Sequence, residues 1–221
     1  MSDLLDTIVI ETAAKPTAAI IWMHGLGADG HDFEPIVPEL GLPEAAAVRF
    51  VFPHAPVQPV TINGGMRMRA WYDVTGDGRQ DAAGIRASQA RIEELVRHER
   101  AQGIASRAIV LAGFSQGGAI ALQTALRHGE RLAGVLALST YLPLPDTLAQ
   151  EASPDNRDVP IFMAHGSQDP VIPLSWASRS RDALTRLGYA VEWRDYPMPH
   201  SVCAEEIADI ARWLRTVLPA I

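Results

Sequence analysis

One serine of the chain stands between two glycines in a setting that predicts a nucleophile. Ser115 lies in Gly113-Phe114-Ser115-Gln116-Gly117, after the apolar run 108–112 and before the apolar residues 119–122. A turn from a strand directly into a helix is so tight that side chains two positions from the serine would collide, which explains both glycines. The turn raises the hydroxyl to the positive end of a helix dipole, where developing negative charge is stabilised. The pattern therefore indicates a nucleophile elbow.

A serine hydroxyl is a poor nucleophile at neutral pH, so the elbow needs a general base and an acid that orients this base. In enzymes built around this elbow, the acid and then the histidine follow the serine, on loops after later strands. His165 and His200 are the two histidines that follow predicted strands downstream of Ser115. Because His165 precedes the nearest suitable acid and His200 comes just before the last predicted helix, we predict His200 as the base.

Asp169 is the predicted acid. It lies in Gly166-Ser167-Gln168-Asp169-Pro170, directly after the predicted strand 161–164 and before the histidine, which is the required order. Asp195 is the rival acid, but it belongs to a strand end close to His200 in the sequence and would have to fold back sharply. Asp155 and Asp158 lie in a polar loop, and we expect them to be surface charges.

Two backbone amides are predicted to bind the oxyanion of the tetrahedral intermediate. The first is the N–H of Gln116, the residue after the nucleophile, whose side chain is expected to matter less than its amide. The second is the N–H of Leu26 in His24-Gly25-Leu26-Gly27, directly after an apolar strand, where glycines let amides face the site. His24 is expected to brace this loop through a hydrogen bond.

Alternating strands and helices are predicted to position these residues. Apolar runs predict strands at 18–23, 48–52, 108–112, 132–138, 161–164 and 190–194, with an edge strand at 5–11. Amphipathic spacing and stop signals predict helices at 33–40, 82–102, 116–128, 174–187 and 202–217. The alternation predicts an α/β protein with a mostly parallel central sheet and helices on both faces, folded as a single domain over 1–221.

The segment 53–81 is rich in proline, glycine and turn residues, and a connection of this length usually serves function. Asn63-Gly64-Gly65 predicts a hairpin between residues 60–62 and 66–68. Loops at the carboxyl ends of strands build the substrate crevice of such folds. The residues predicted to line an acyl groove there, together with Leu26, are Trp71, Met66, Met68 and Val171. For Trp71, a place in the core of the loop is an equally good interpretation.

Composition and charge limit the kinds of partner and the cellular compartment that the sequence suggests. With 48% hydrophobic and 20% charged residues the chain is typical of a globular protein, and no apolar run reaches the roughly 18 residues of a membrane span. A net charge of -7 without a cluster of Lys and Arg argues against a nucleic-acid partner. The single cysteine, Cys203, and a first segment without basic residues favour a cytoplasmic location.

Five segments in order along the chain carry a resemblance to a known family: HGLGADGHDF at 24–33, RAWYD at 69–73, GFSQGG at 113–118, HGSQDPVIP at 165–173 and YPMPHS at 196–201. Together they resemble the phospholipase/carboxylesterase family, which includes bacterial carboxylesterases and acyl-protein thioesterases. The resemblance implies an α/β-hydrolase fold without a large cap domain, the triad Ser115, Asp169 and His200, oxyanion amides at Leu26 and Gln116, and no metal or organic cofactor. Pro199 stands where many relatives have glycine, and predicts a stiffer loop before the histidine.

These observations predict a serine carboxylesterase that hydrolyses a small-molecule ester through an acyl-enzyme on Ser115. An acyl-protein thioesterase or lysophospholipase with the same triad is the alternative, because the same groups can cleave a thioester. A non-catalytic binding module with this fold is a third interpretation, but such a module is expected to have lost a triad member, and none is missing. A monomer and a homodimer are both compatible with the sequence.

Overall fold

The computed structural model describes residues 4–43 and 45–218. The strands in these ranges are β1 (Thr7–Glu11), β2 (Ala18–Met23), β3 (Val48–Pro53), β4 (Val57–Val60), β5 (Met66–Arg69), β6 (Ile109–Phe114), β7 (Gly134–Leu138), β8 (Ile161–Gly166) and β9 (Val191–Tyr196). The helices are α1 (Ile36–Glu39), α2 (Ala82–Ala101), α3 (Gln116–Ala125), α4 (Pro145–Glu151), α5 (Leu174–Arg186) and α6 (Ala204–Val217). None of these helices combines the length and the hydropathy that crossing a membrane requires.

Seven of the strands form one sheet, in the order β1-β3-β2-β6-β7-β8-β9. Neighbouring strands are parallel throughout, except that the edge strand β1 runs antiparallel to β3. The strands β2, β7 and β8 are buried at every residue, as expected of parallel strands that are covered on both faces. The prediction of a mostly parallel central sheet is confirmed.

The direction in which the chain crosses the sheet decides the face on which each helix lies. From β2 the chain moves to β3 through α1, whereas from β6 to β9 it moves across the sheet in the opposite direction. Because crossovers between parallel strands are right-handed, α1 lies on one face and α3 and α5 lie on the other. Arg215 of α6 donates a hydrogen bond to the carbonyl oxygen of Gly41 (2.8 Å), which places α6 beside α1. The predicted helices on both faces are confirmed.

Between β3 and α2 the chain leaves the sheet for residues 54–81, and the part of the chain that the structure describes has no cap domain. The hairpin in this segment differs from the predicted one: β4 pairs with β5 from Val57 opposite Arg69 to Val60 opposite Met66. Thr61 does not continue the strand, because its N–H and its hydroxyl both donate to the carboxylate of Asp73 (2.7 and 2.6 Å). This long-range contact turns residues 61–63 into a 3₁₀ turn.

The helix α4 lies in a proline-rich connection where the sequence predicted no element. Its first residue is Pro145, and this position tolerates proline because the first N–H groups of a helix have no acceptor inside the helix. Glu151 at its end accepts hydrogen bonds from Arg86 (2.6 Å) and Arg127 (2.7 Å), which join α4 to α2 and to the turn after α3. Pro145 therefore begins this helix and does not interrupt it.

The first turn of α3 packs directly on the end of β2. A Cβ placed on Gly117 would overlap with the carbonyl oxygens of Met23 and His24, and one placed on Gly113 would overlap with the backbone of Gly117. The backbone of α3 can approach the sheet this closely only because both positions lack a side chain. Gly129, in the turn after α3, has no atom within 4 Å of the place that a Cβ would take.

We expect Gly117→Ala to lower the free energy of unfolding by about 3 kcal/mol, because the new methyl group must displace backbone rather than a flexible side chain. Gly129→Ala is the matched control, since its methyl group enters open space, and it should stay within about 1 kcal/mol of the parent protein. Urea unfolding followed by circular dichroism measures both. Equal stability of the two variants would show that the contact between α3 and β2 does not require glycine at position 117.

Candidate active site

Ser115 occupies a strained turn that its neighbours hold in place. Its φ of 55° and ψ of -121° lie outside the regions that residues with side chains normally adopt. Its N–H donates to the carbonyl oxygen of Leu138 (2.9 Å), and its own carbonyl oxygen accepts from the hydroxyl of Thr140 (2.7 Å). These bonds to the end of β7 hold the strained backbone. The side chain is 8% exposed, at the carboxyl end of the sheet.

Asp169 and His200 are directly hydrogen-bonded. The Nδ1 of His200 lies 2.6 Å from the Oδ2 of Asp169, in the loop that follows β8. The other carboxylate oxygen, Oδ1, accepts from the amides of Val171 (2.8 Å) and Ile172 (2.9 Å). A carboxylate acceptor requires that Nδ1 carries the proton of the neutral imidazole, which leaves the lone pair on Nε2. The acid is therefore fixed by its own loop and in turn fixes the tautomer of His200.

The loop that carries His200 is tied to the loop that carries Asp169. The amide of Gln168 donates to the carbonyl oxygen of Met198 (3.1 Å), and the amide of Ser167 donates to that of Tyr196 (2.8 Å). A Cβ on Gly166 would overlap with the carbonyl oxygens of Met198 and Pro199, so the two loops touch through their backbones. Gly166 therefore allows the close approach of the loop that contains Pro199.

The ring of His200 packs on Phe114, the residue before the serine, with ring centroids 4.7 Å apart. Within the described residues the hydroxyl of Ser115 forms no hydrogen bond, and His200 bonds only to Asp169. In enzymes of this type the contact between base and nucleophile is often long before substrate binds, and it tightens in the complex. The structure thus brings the three predicted triad residues to one end of the sheet, with base and acid already paired.

The other carboxylates that were considered for the acid lie elsewhere. Asp195 is exposed on β9, and its Oδ1 accepts from the indole N–H of Trp193 (3.2 Å). Asp158 pairs with Arg131 at the surface. The geometry favours Asp169 over both.

The loop 24–27 lies against the elbow, as the predicted oxyanion site requires. A Cβ on Gly25 would be 3.5 Å from the Cβ of Ser115. Gln116 is the first residue of α3, so its N–H has no acceptor within the helix. The amide of Leu26 has no partner among the described residues, whereas that of Gly27 donates to the carbonyl oxygen of Arg69 (2.9 Å). The two predicted donors, the amides of Leu26 and Gln116, are therefore without a partner among the described residues.

The side chain of Gln116 does more than the sequence analysis expected. Its Oε1 accepts from the amide of Trp71 (3.0 Å), and its Nε2 donates to the carbonyl oxygen of Tyr72 (2.9 Å). The side chain was expected to matter less than the amide, but it also fastens the end of the long segment 54–81 beside the elbow. No local pattern could have indicated this, since the partners lie far upstream in the chain.

The four predicted groove residues have different environments. Trp71 is 1% exposed, and its indole N–H donates to the carbonyl oxygen of His24 (2.9 Å), which favours the interpretation as a residue of the loop core. Met68 is half-buried, and its sulfur lies 3.7 Å from the place of a Cβ on Gly27, next to Leu26. Met66 and Val171 are exposed, at 64% and 63%.

An aromatic group that the sequence did not predict lies at the same end of the sheet. Tyr141 follows β7 one residue after Thr140, and its hydroxyl lies 2.8 Å from that of the buried Tyr72. The ring of Trp176, which is 48% exposed, stands edge-on to Tyr141 with centroids 6.0 Å apart. The signal for Tyr141 was its place directly after a buried strand, the same signal that identified Leu26 and Asp169.

His24 is a buried brace of the oxyanion loop, as expected. Its Nδ1–H donates to the carbonyl oxygen of Gly25 (2.7 Å), and its Nε2 accepts from the amide of Ala55 (3.0 Å). Burial lowers the pKa of His24 from 6.5 to about 4, since a charged ring would lose its water and could not accept from Ala55. The ring is therefore neutral in the folded protein and becomes protonated far more readily in the unfolded chain.

The stability of the protein should fall on acidification because of His24. Between pH 6.5 and about pH 4, His24 is protonated in the unfolded chain but neutral in the folded protein. The free energy of unfolding therefore decreases as the pH falls through this range. His24 should contribute a loss of about 2 kcal/mol between pH 7 and pH 5. In His24→Gln, whose amide oxygen can still accept from Ala55, urea unfolding at the two pH values should show a difference smaller by that amount. An unchanged pH dependence would contradict the neutral brace.

Comparisons with known proteins agree with this architecture. Residues 5–218 match the model of the family described as Phospholipase/Carboxylesterase. The chain is 40% identical to acyl-protein thioesterase 1 of Mycosarcoma maydis, over 98% of this chain and 99% of that protein. It is also 40% identical to acyl-protein thioesterase 1 of Neurospora crassa, over 97% of this chain and 92% of that protein.

A solved structure shows the same fold. The crystal structure of acyl-protein thioesterase 2 of Zea mays superimposes with a TM-score of 0.85 at 31% identity, over 97% of this chain and 99% of that chain. The α/β-hydrolase fold that the resemblance implied is thereby confirmed. Because the family model covers nearly the whole chain and relatives of full length share two fifths of its residues, the protein belongs to the phospholipase/carboxylesterase family of hydrolases.

Proposed function

We propose that this protein is an acyl-protein thioesterase, which hydrolyses the thioester between a fatty acyl group and a protein through an acyl-enzyme on Ser115. The observation that carries the chemistry is the pair of Asp169 and His200 at 2.6 Å, next to the strained elbow. The preference for a thioester is supported by relatives at 37 to 40% identity over nearly the full length, all named acyl-protein thioesterase 1. The carboxylesterase that the sequence alone predicted becomes the second candidate.

Acylation starts when His200 Nε2 takes the proton of the Ser115 hydroxyl. The serine oxygen attacks the acyl carbonyl carbon, and the carbonyl π pair moves to oxygen, where the amides of Leu26 and Gln116 stabilise the charge. The intermediate collapses, the bond from carbon to sulfur breaks, and His200 returns its proton to the leaving thiolate. Asp169 stabilises the imidazolium that forms between these two proton transfers.

Deacylation repeats the sequence with water as the nucleophile. His200 takes a proton from water, the hydroxide attacks the acyl carbonyl, and the serine oxygen leaves as it regains the proton. A thiol is a better leaving group than an alcohol because its pKa is about 8.5, so expulsion of the thiolate needs little help from an acid. The same triad therefore cleaves thioesters and esters, and binding of the acyl chain and leaving group decides between them.

The acyl chain is proposed to lie along the apolar side chains near the elbow. Met68 is half-buried next to Leu26 of the oxyanion loop, and Met66 on β5 and Val171 in the loop after β8 present large apolar side chains to solvent. Such side chains on two different loops suit a long apolar chain, which gains about 0.8 kcal/mol for each methylene group that it buries.

We expect Ser115→Ala to abolish hydrolysis of p-nitrophenyl acetate and of an S-palmitoyl peptide, with kcat/KM lower by roughly 10⁴-fold or more. Asp169→Asn should cost roughly 10³ to 10⁴-fold, because the amide presents a donor to Nδ1 and selects the wrong tautomer. Asp195→Asn is the matched control and should keep full activity, as its carboxylate faces Trp193. A fluorophosphonate probe should label the parent protein and Asp195→Asn at equal rates and Asp169→Asn more slowly. It should not label Ser115→Ala.

These variants also test the interpretation as a binding module. A protein that lacked hydrolysis on every substrate and did not react with the probe would be a non-catalytic member of the family. Loss of activity in Asp195→Asn with retention in Asp169→Asn would instead assign the acid to Asp195.

The choice between thioester and ester is tested by matched substrates. Two forms of one peptide, with the same palmitoyl group on a cysteine or on a serine, differ only in the sulfur or oxygen atom that leaves. We expect kcat/KM to be at least roughly tenfold higher for the thioester. A series of acyl lengths from acetyl to palmitoyl should show kcat/KM rising with length. A preference for the serine ester or for short acyl groups would make the protein a carboxylesterase.

A further inference from the structure

The hydroxyls of two tyrosines join the segment 54–81 to the loop that follows β7. The hydroxyl of Tyr72 lies 2.8 Å from that of Tyr141, and no step of the proposed reaction uses either group. Tyr72 is 2% exposed and Tyr141 is half-buried, so the bond is largely shielded from water. Burial raises the pKa of Tyr72 and of Tyr141, which keeps both hydroxyls neutral and the bond intact near neutral pH.

The loop after β7, residues 139–144, is strained at both ends. The φ of Ser139 and the φ of Leu144 are both 46°, in the left-handed region that residues with a side chain seldom adopt. The amide of Leu144 donates to Oε1 of Gln80 (2.8 Å), which is a second bond to the segment 54–81. A strained loop keeps a single conformation only where such contacts hold it.

Both sides of the tyrosine contact lead back to Ser115. The carbonyl oxygen of Tyr72 accepts from Nε2 of Gln116 (2.9 Å), the residue after the serine. Thr140, the residue before Tyr141, donates its hydroxyl to the carbonyl oxygen of Ser115 (2.7 Å). The hydroxyl pair therefore closes a ring of bonds that begins and ends at the elbow.

We propose that Tyr72 and Tyr141 are positioning residues that determine acyl-chain specificity, because their bond fixes the segment 54–81 in the position that binds a long acyl chain. The proposal rests on the proposed function, since Met66 and Met68 of this segment belong to the acyl site described there. A groove that is fixed before binding costs the ligand less ordering free energy than a mobile one. Long chains gain from this, whereas an acetyl group ends beside the serine and does not reach the two methionines.

Removal of one hydroxyl should therefore separate long substrates from short ones. The esters p-nitrophenyl acetate and p-nitrophenyl octanoate have the same leaving group and differ only in acyl length. In Tyr141→Phe we expect KM for the octanoate to rise roughly fivefold with kcat unchanged, as one lost hydrogen bond that supports binding would cause. Both constants for the acetate should stay within about twofold of the parent protein, because Gln116 still fastens the segment beside the serine.

The double variant distinguishes this positioning from a general loss of stability. Each single substitution leaves the other hydroxyl without its partner, whereas Tyr72→Phe/Tyr141→Phe removes both and should recover most of the free energy of unfolding. The KM for the octanoate should nevertheless stay raised, because the bond is absent. Tyr189→Phe is the matched control, since the buried hydroxyl of Tyr189, between α5 and β9, has no partner among the described residues. This variant should leave KM unchanged for both esters.

Hydrogen exchange followed by mass spectrometry tests the same contact without any substrate. The amides of residues 57–81 should exchange faster in Tyr141→Phe than in the parent protein, and at the parent rate in Tyr189→Phe. Unchanged exchange in this segment, an equal loss on acetate and octanoate, or a normal KM for the octanoate in the double variant would each overturn the proposal. A preference of the parent protein for serine esters over thioesters would overturn the proposed function alone, because both nitrophenyl substrates are oxygen esters.

Discussion

The close approach of α3 to the end of β2 is the constraint on which the site depends. Gly113 and Gly117 allow the backbone of the elbow to meet the carbonyl oxygens of Met23 and His24 with no side chain between them. That contact turns Ser115 into a conformation that few residues adopt, and it brings the oxyanion loop to the same place. The proposed nucleophile and the proposed oxyanion donors are therefore positioned by one packing contact.

The loops at this end of the sheet are held by buried polar side chains that bond to backbone. Asp169 binds the amides of its own loop, Gln116 clamps residues 71–72, and His24 ties the oxyanion loop to Ala55. A buried polar group without partners is costly, so each of these side chains specifies one loop conformation. The site is rigid through these bonds, although its residues come from loops.

The parts that the sequence could predict are those with a local cause. Apolar runs gave the strands because burial on both faces demands them, and the elbow could be located because its glycines are next to the serine in the chain. The hairpin end at Thr61 and the clamp by Gln116 depend on contacts between segments that lie apart in the sequence. The helix α4 was missed for another reason, since Pro145 has opposite meanings at the start and in the middle of a helix.

Asp169 is better understood as the centre of a hydrogen-bond network than as the last residue of a linear series that begins at Ser115. Oδ1 of Asp169 accepts from two amides of its own loop, and Oδ2 accepts from the imidazole of His200. In the proposed reaction, the positive charge that forms when His200 takes the proton of Ser115 meets a carboxylate whose position is already fixed, so little reorganisation is needed. His165 stays neutral at that moment, because burial disfavours its charged form and the imidazolium of His200 repels it.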